Sequence, residues 1–295
     1  MPTASDRSRL ISIVQSRQNA RVRELRAAFA RSPRDIPEAI GLEGEHLLAE
    51  ALRSGLRLRT VFLRADPDRR DLSLRILERL ALPPGVPIVS LNPAVFSSAV
   101  DTESPQGIAA LVEPPRFSLA EAVGELDTPA ASPGRAAPLV LISAALQDPG
   151  NFGSLVRSVE AFGASGVIAL PGTVDVWNSK ALRASAGSAF RVPVVQEKPG
   201  LAFAALAERS IPVLAAVPAG GSAHPADRAI SCSSYDLTGP AAILIGNEGA
   251  GLSEELLERA TARIAIPMPG TVESLNAAVA ASILLYEASR QRSQA

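Results

Sequence analysis

Residues 241–258 read AAILIGNEGAGLSEELLE, and this stretch decides the fold class. Ala241–Ile245 is an unbroken apolar run, too short for a helix, that runs straight into three glycines in six residues. Ser253 then stands where a helix can be capped, with Glu255 in its first turn. A strand that is apolar at every position has no face to show to water, so it belongs to a sheet covered on both sides, the setting of parallel strands. The same signature recurs around it, as LVLISA at 139–144, GVIAL at 166–170, VPVV at 192–195, PVLAAV at 212–217 and RIAIP at 263–267, separated by helical stretches. This predicts a doubly wound α/β domain, with ligands held in the loops beyond the carboxyl ends of the strands, above all those after LVLISA, PVLAAV, AAILI and RIAIP.

Working toward the N-terminus, the pattern is shorter. An arginine-studded helix near 18–31, a helix in GEHLLAEALRSG (44–55) and a strand in LRTVFLR (58–64) are followed by a helix in DLSLRILERL (71–80). A strand in VPIVSL (86–91), a helix in NPAVFSSAV (92–100) and a strand in GIAALV (107–112) complete a small α/β layer. EPPRF (113–117) and DTPAASPGRAAP (127–138) are rich in proline and small residues and mark a junction. The expected organisation is a first domain over 1–113, a linker over 114–138 and a second domain over 139–295.

The 295 residues are 47% hydrophobic, with a mean hydropathy of +0.18, so part of the apolar surface is expected to be shared between subunits of a homodimer. A single cysteine, Cys232, excludes an internal disulfide framework, and neither a signal-peptide core nor a membrane-spanning run is visible. A cytoplasmic protein is the expectation. The overall net charge of −1 favours no polyanionic partner. Its distribution does: residues 1–34 hold eight arginines (Arg7, Arg9, Arg17, Arg21, Arg23, Arg26, Arg31 and Arg34) against Asp6 and Glu24, a net of +6 suited to nucleic-acid phosphates. A solvated helix face in an arginine-rich chain, which has only two lysines, Lys180 and Lys198, is the competing explanation.

Three loops carry the chemistry. In QDPGNFGSLVRSVEAFG (147–163), Phe152, Leu155, Val156, Val159 and Phe162 form one helical stripe, leaving Arg157 on the opposite face among Gly153, Ser154 and Ala161. Arg157 is expected to lean over Gly153 toward the Asp-Pro-Gly-Asn turn, with Asn151 as the helix cap. In GNEGAG (246–251) the glycines let the backbone approach a ligand, and Glu248 sits at the strand end. The spacing is neither the dinucleotide fingerprint nor a P-loop. In RIAIPMPGTVESLNAAVAASILLYEASRQR (263–292) the proline-rich exit of a strand leads to Ser274, expected as N-cap of a long helix, with Asn276 inside its first turn.

Taken together, D-P-G-N-x-G-x-x-x-R, G-N-E-G-x-G-L and I-P-M-x-G-x-x-x-S-L-N resemble the three motifs of the SpoU/TrmH RNA ribose 2′-O-methyltransferases. The resemblance covers roughly residues 139–290, and the N-terminal part is similar in pattern to the ribosomal-protein-like substrate-binding domain of that family. It implies a deep trefoil knot in the C-terminal sheet, a homodimer, and S-adenosylmethionine against the backbone at Gly246, Ile266 and Leu275, with Met268 nearby and Ala216, Val217 and Pro218 as another wall. Asn151, Arg157, Glu248, Ser274 and Asn276 match the polar active-site positions. Arg17, Arg21, Arg23 and Arg26, with Arg183 in the second domain, are the expected RNA contacts. No metal is called for.

The implied activity is methylation of a ribose 2′-hydroxyl in RNA, with ribosomal RNA favoured over transfer RNA by the extra N-terminal domain. Arg157 is then expected to clamp a phosphate and stabilise the developing alkoxide, because a guanidinium stays protonated in a protein. Glu248 and Asn276 orient the reacting groups. The alternatives are a non-catalytic RNA-binding protein of the same fold and a nucleotide-dependent oxidoreductase, the latter disfavoured by the missing G-x-G-x-x-G.

Overall fold

A computed structural model describes residues 11–30, 37–66, 70–124, 137–219 and 229–294. Arg7, Arg9, Arg31 and Arg34 of the basic block, and residues 125–136 of the expected linker, lie outside the described residues. The chain divides into two compact units, Met1–Arg116 with Trp177–Ser179, and Phe117–Val176 with Lys180–Ala295.

The first unit is built from β1 (Ile11–Val14), α1 (Ala20–Phe29), β2 (Ile40–Glu43), α2 (Glu45–Arg53), β3 (Leu58–Arg64), α3 (Arg70–Leu80), β4 (Ile88–Leu91), α4 (Pro93–Ala99) and β5 (Ile108–Val112). Its sheet runs β1-β4-β3-β5-β2, parallel from β1 to β3 and antiparallel where β5 meets β3 and β2. Val22 and Leu25 of α1 are fully buried against Phe62, Leu91, Phe96 and Leu111, which fixes the helix on one face of this sheet. β1 and β2 are strands that the sequence pattern does not announce. Each has four residues, and β2 contains Gly41, against which the Phe29 ring of α1 packs so closely that a Cβ would meet it at 2.9 Å.

The second unit starts before the strand that opens it in the sequence reading. α5 (Leu119–Ala122), inside the stretch 114–138, closes a capping box between Ser118 and Glu121 and buries Ala122 and Val123 in the unit's core. Four residues between proline-rich stretches are too few to show a helical period in the sequence. Then come β6 (Leu139–Ser143), α6 (Pro149–Ala161), β7 (Gly166–Ala169), α7 (Ser179–Ser185), β8 (Val194–Gln196), α8 (Pro199–Glu208), β9 (Val213–Ala216), β10 (Ile230–Ser231), β11 (Ala241–Ile245), α9 (Glu254–Glu258), β12 (Ala262–Ala265) and α10 (Ala277–Arg292).

The sheet order is β10-β12-β9-β11-β6-β7-β8, and every pairing is parallel. Val140, Ile142, Ala242 and Leu244 point to one face, under α5, α8 and α9, while α6 and α10 pack together on the other. Burying both faces uses the all-apolar strands as the sequence predicts. From β6 the chain winds outward through β7 and β8, then returns to fill β9–β12 on the other side. β6 and β11 therefore flank the switch point, where the following loops diverge and leave a crevice.

Candidate active site

The loop after β11 is folded by its own backbone and by Asn247. Asn247 and Gly251 exchange two main-chain hydrogen bonds of 3.1 and 2.9 Å. The Asn247 side-chain oxygen accepts from the N–H groups of Gly249 (2.9 Å) and Ala250 (3.1 Å), closing a tight turn. The need for glycine at 246 arises inside this loop. A Cβ there would lie 2.5 Å from the Gly251 carbonyl group and 2.8 Å from Leu252 N, so the residue is small to admit its own chain as well as to line a cavity.

Glu248, at the crown of this turn, is exposed yet held. Asn151 Nδ2 donates to Glu248 Oε1 at 2.8 Å, and Asn276 Nδ2 donates to Asn151 Oδ1 at 3.1 Å. Asn276 Oδ1 in turn accepts from the N–H groups of Ala278 (3.0 Å) and Val279 (3.2 Å) at the start of α10. The result is a directed chain from a helix N-terminus through two amides to one oxygen of a carboxylate.

Two expected caps are corrected by this arrangement. α6 is capped by Asp148, whose carboxylate accepts from Asn151 N at 2.7 Å, with Pro149 at the first helical position. Asn151 stands one turn inside and is released to bond Glu248. α10 is capped by Asn276, not by Ser274, which lies in the preceding loop. In both segments two capping residues compete within a few positions, and the one whose side chain accepts from the N–H three residues on prevails.

Behind Glu248 opens a cavity of about 570 Å³ lined by the loops after β9, β11 and β12. Ala216, Val217, Pro218, Gly246, Ile266, Met268 and Leu275 all line it, together with Glu248 and Ser274. Leu252, Leu257 and Leu284 make its inner walls apolar, and among the described residues its charged lining groups are Glu248 and Glu273. The volume suits a small cofactor, and an apolar wall with a net negative rim suits one that joins an aromatic base to a cationic centre.

Arg157 is exposed on α6, as its place off the apolar stripe predicts, and it has no hydrogen bond or ion pair among the described residues. It does not line the cavity. Gly153, expected beside Arg157 on the face opposite the apolar stripe, is instead buried against α7, where a Cβ would lie 2.3 Å from the Ala181 carbonyl oxygen. The glycine lets two helices touch.

Arg17, Arg21 and Arg23 are exposed and carry no ion pair among the described residues, whereas Arg26 is half-buried, its guanidinium donating to Ser98 O (3.0 Å) and Ser98 Oγ (3.2 Å). Arg26 is therefore occupied in joining α1 to α4. Arg183 is exposed in the last turn of α7. Sequence reading passes over Asp148, Asn247 and Glu273. The first two carry a legible signal, an Asn or Asp ahead of a proline–glycine or glycine-rich turn; Glu273 carries none.

The fold and site define an α/β protein with a cofactor-sized cavity at the strand ends and an amide-held carboxylate at its rim. Comparison with known proteins gives the particular family. The SpoU rRNA methylase family matches residues 138–286, and the MRM3-like substrate binding domain matches residues 19–110. The chain is 31% identical over 273 residues, 92% of its own length and 97% of the relative's, to the 23S rRNA (guanosine(2553)-2′-O)-methyltransferase RlmP of Bacillus subtilis. Among solved structures, the SpoU methyltransferase AviRb from Streptomyces viridochromogenes in complex with AdoMet superimposes with a TM-score of 0.76 at 29% identity, covering 93% of this chain and 98% of that one. An AdoMet-bound rRNA methyltransferase from Sinorhizobium meliloti gives a TM-score of 0.71 at 28% identity, covering 95% and 97%. The chain belongs to the SpoU rRNA methylase family.

Proposed function

We propose that this protein methylates a ribose 2′-hydroxyl of ribosomal RNA, using S-adenosylmethionine. The observation that carries the reading is that one cavity is lined by all seven cofactor positions of the family motifs, with the Glu248–Asn151–Asn276 chain at its mouth. S-adenosylmethionine, when bound, supplies a methyl group already activated by a sulfonium.

The protein's part is to hold the hydroxyl in line with that methyl and to manage charge. Gly246, Ile266 and Leu275 offer backbone to the cofactor, while Met268 and the Ala216–Pro218 segment close its apolar side. Arg157 clamps a phosphate next to the target ribose and stabilises the oxygen as its proton leaves. Asn151 and Asn276 fix Glu248, whose second oxygen is free to accept a hydrogen bond from the ribose. Ser274 stands at the same rim. Arg17, Arg21, Arg23 and Arg183 extend the contact to RNA phosphates. A domain arrangement of 1–113 for substrate binding and 139–295 for catalysis, with α5 of the intervening stretch packed on the second, goes with this reading, as do the trefoil knot in the second sheet and action in the cytoplasm. The homodimer is supported by Val272, Val279 and Tyr286, large apolar side chains left exposed on and just before α10.

Transfer of labelled methyl groups to purified RNA, followed by mapping of 2′-O-methyl nucleotides, tests the proposal. Label should enter ribosomal RNA at a ribose. Label in transfer RNA alone would reassign the substrate, and cofactor binding without transfer to either RNA would leave a binding protein.

A further inference from the structure

Asn247 has every polar group committed. Beyond the turn that its oxygen and backbone close, its Nδ2 donates to the Ala145 carbonyl at 2.8 Å. Ala145 adopts φ +55°, the left-handed region that a residue with a Cβ avoids, and this orientation is what presents its carbonyl to the β11 loop. The turn is held from its other sides as well. Ala144 N donates to Ile245 O at 2.8 Å, and Val174 N donates to Leu146 O at 2.9 Å.

The β6–α6 connection and the β11 loop are thus joined by side chains at two places, Asn247 to Ala145 and Glu248 to Asn151. Neighbouring residues of one loop grip two points, six residues apart, of the other. The two bonds are made by consecutive residues, Asn247 and Glu248, so the first lies one residue from the carboxylate that makes the second.

We infer that Asn247 is a positioning residue for methyl transfer, acting through its amide donor to Ala145 to aim Glu248 and to hold the cavity wall formed by residues 246–252. This rests on the methyltransferase reading above. A side chain that merely closed a turn would need its oxygen alone, and aspartate would serve as well in that role. A positioning role needs the N–H₂.

The substitution Asn247→Asp separates the two. It keeps the acceptor for Gly249 and Ala250 but sets a carboxylate oxygen against the Ala145 carbonyl. At pH 8 its single-turnover rate should fall by about 30-fold, while affinity for S-adenosylmethionine, measured by calorimetry, should weaken by about 3-fold. Lowering the pH to 6 should raise its rate relative to the unsubstituted protein by about 5-fold, because a protonated carboxyl can again donate to Ala145. Asn247→Ala should lose rate without this pH-dependent recovery and should also lose amide-exchange protection at Gly249 and Ala250. If Asn247→Asp does not fold, Asn247→Ser, too short to reach Ala145, should show the same rate loss.

A wild-type rate for Asn247→Asp at pH 8, or a loss equal to that of Asn247→Ala at every pH, overturns the inference. Failure of the unsubstituted protein to bind cofactor or methylate RNA would instead overturn the functional reading, and the same assays report it separately.

Discussion

Asn151 and Arg157 stand on one helix, six residues apart, and the structure treats them in opposite ways. Asn151 is used completely: its backbone N–H goes to Asp148, its amide nitrogen to Glu248 and its amide oxygen to Asn276. The Arg157 guanidinium has no hydrogen bond or ion pair among the described residues. The contrast separates groups set in advance from groups that wait. Polar atoms around the cavity are fixed before any ligand arrives, which spares reorganisation during the reaction. A guanidinium left in water has lost nothing to desolvation and keeps its hydrogen-bonding capacity for an incoming phosphate.

The sharpest way to break this comparison is at Arg157. Arg157→Ala should lower single-turnover methyl transfer by about 100-fold or more, with stability changed by less than about 1 kcal/mol, since no core contact is lost. Lysine should rescue poorly because it lacks the planar fork. A wild-type rate in Arg157→Ala would make the arginine an ordinary surface charge. The held side predicts a smaller loss. Asn276→Asp keeps the oxygen that caps α10 but removes the donor to Asn151, so the rate should drop by about tenfold with an unchanged melting temperature, whereas Asn276→Ala should also cost about 1 kcal/mol of stability.

The first unit repeats the contrast among arginines. Replacing Arg21 and Arg23 together by alanine should weaken RNA binding a few-fold and reduce the slope of log affinity against log salt by about 2, about one per phosphate contact. Arg26→Ala should leave that slope alone and instead lower stability by about 1 kcal/mol, through the lost bonds to Ser98. Equal salt slopes for the two variants would erase the distinction.

The smallest effect concerns pH. Arg290 beside it, aided by Gln291, holds the Glu287 carboxyl down at about 2 from the ordinary value of 4.5. A depressed carboxylate contributes stability that is fully present above about 4.5 and is lost as pH falls through about 2. Thermal unfolding between pH 5 and 2 should therefore decline more steeply in the natural protein than in Glu287→Gln.

Much of this was legible in the sequence, and the misses share a cause. The strands of the second sheet are read within two residues from AAILI, LVLISA and their like, because double-sided burial leaves no polar interruption. β10 is only Ile230–Ser231, too short to show a period. The three loops that carry the polar site residues, after β6, β11 and β12, are identified by their glycines and prolines. The assignment inside each loop is harder. D-P-G-N offers two caps and S-x-N offers two, and sequence cannot weigh Asn151 as a cap against Asn151 as a partner for Glu248, 97 residues away. Gly153 and Gly246 are smaller than their neighbours for reasons that lie across the fold, in α7 and in Gly251. Arg26 differs from Arg23 only because Ser98 folds beside it.

The last turn of α10 also governs when this unit can finish folding. Arg292 donates to the carbonyls of Ala137, Pro138, Leu237 and Gly239, at distances from 2.6 to 3.3 Å, and burial draws its guanidinium below its ordinary pKa. Ala137 and Pro138 lead into β6, the first strand of the sheet to be synthesised, while Arg292 is made more than 150 residues later. During translation, the Ala137 carbonyl must wait for almost the whole unit to be made before Arg292 reaches it, whereas Pro138 O is already taken by Ala241 N at 3.0 Å once β11 has joined the sheet. Nascent chains stalled before residue 292 should accordingly be more readily cleaved by protease at the β6 start than chains released beyond it.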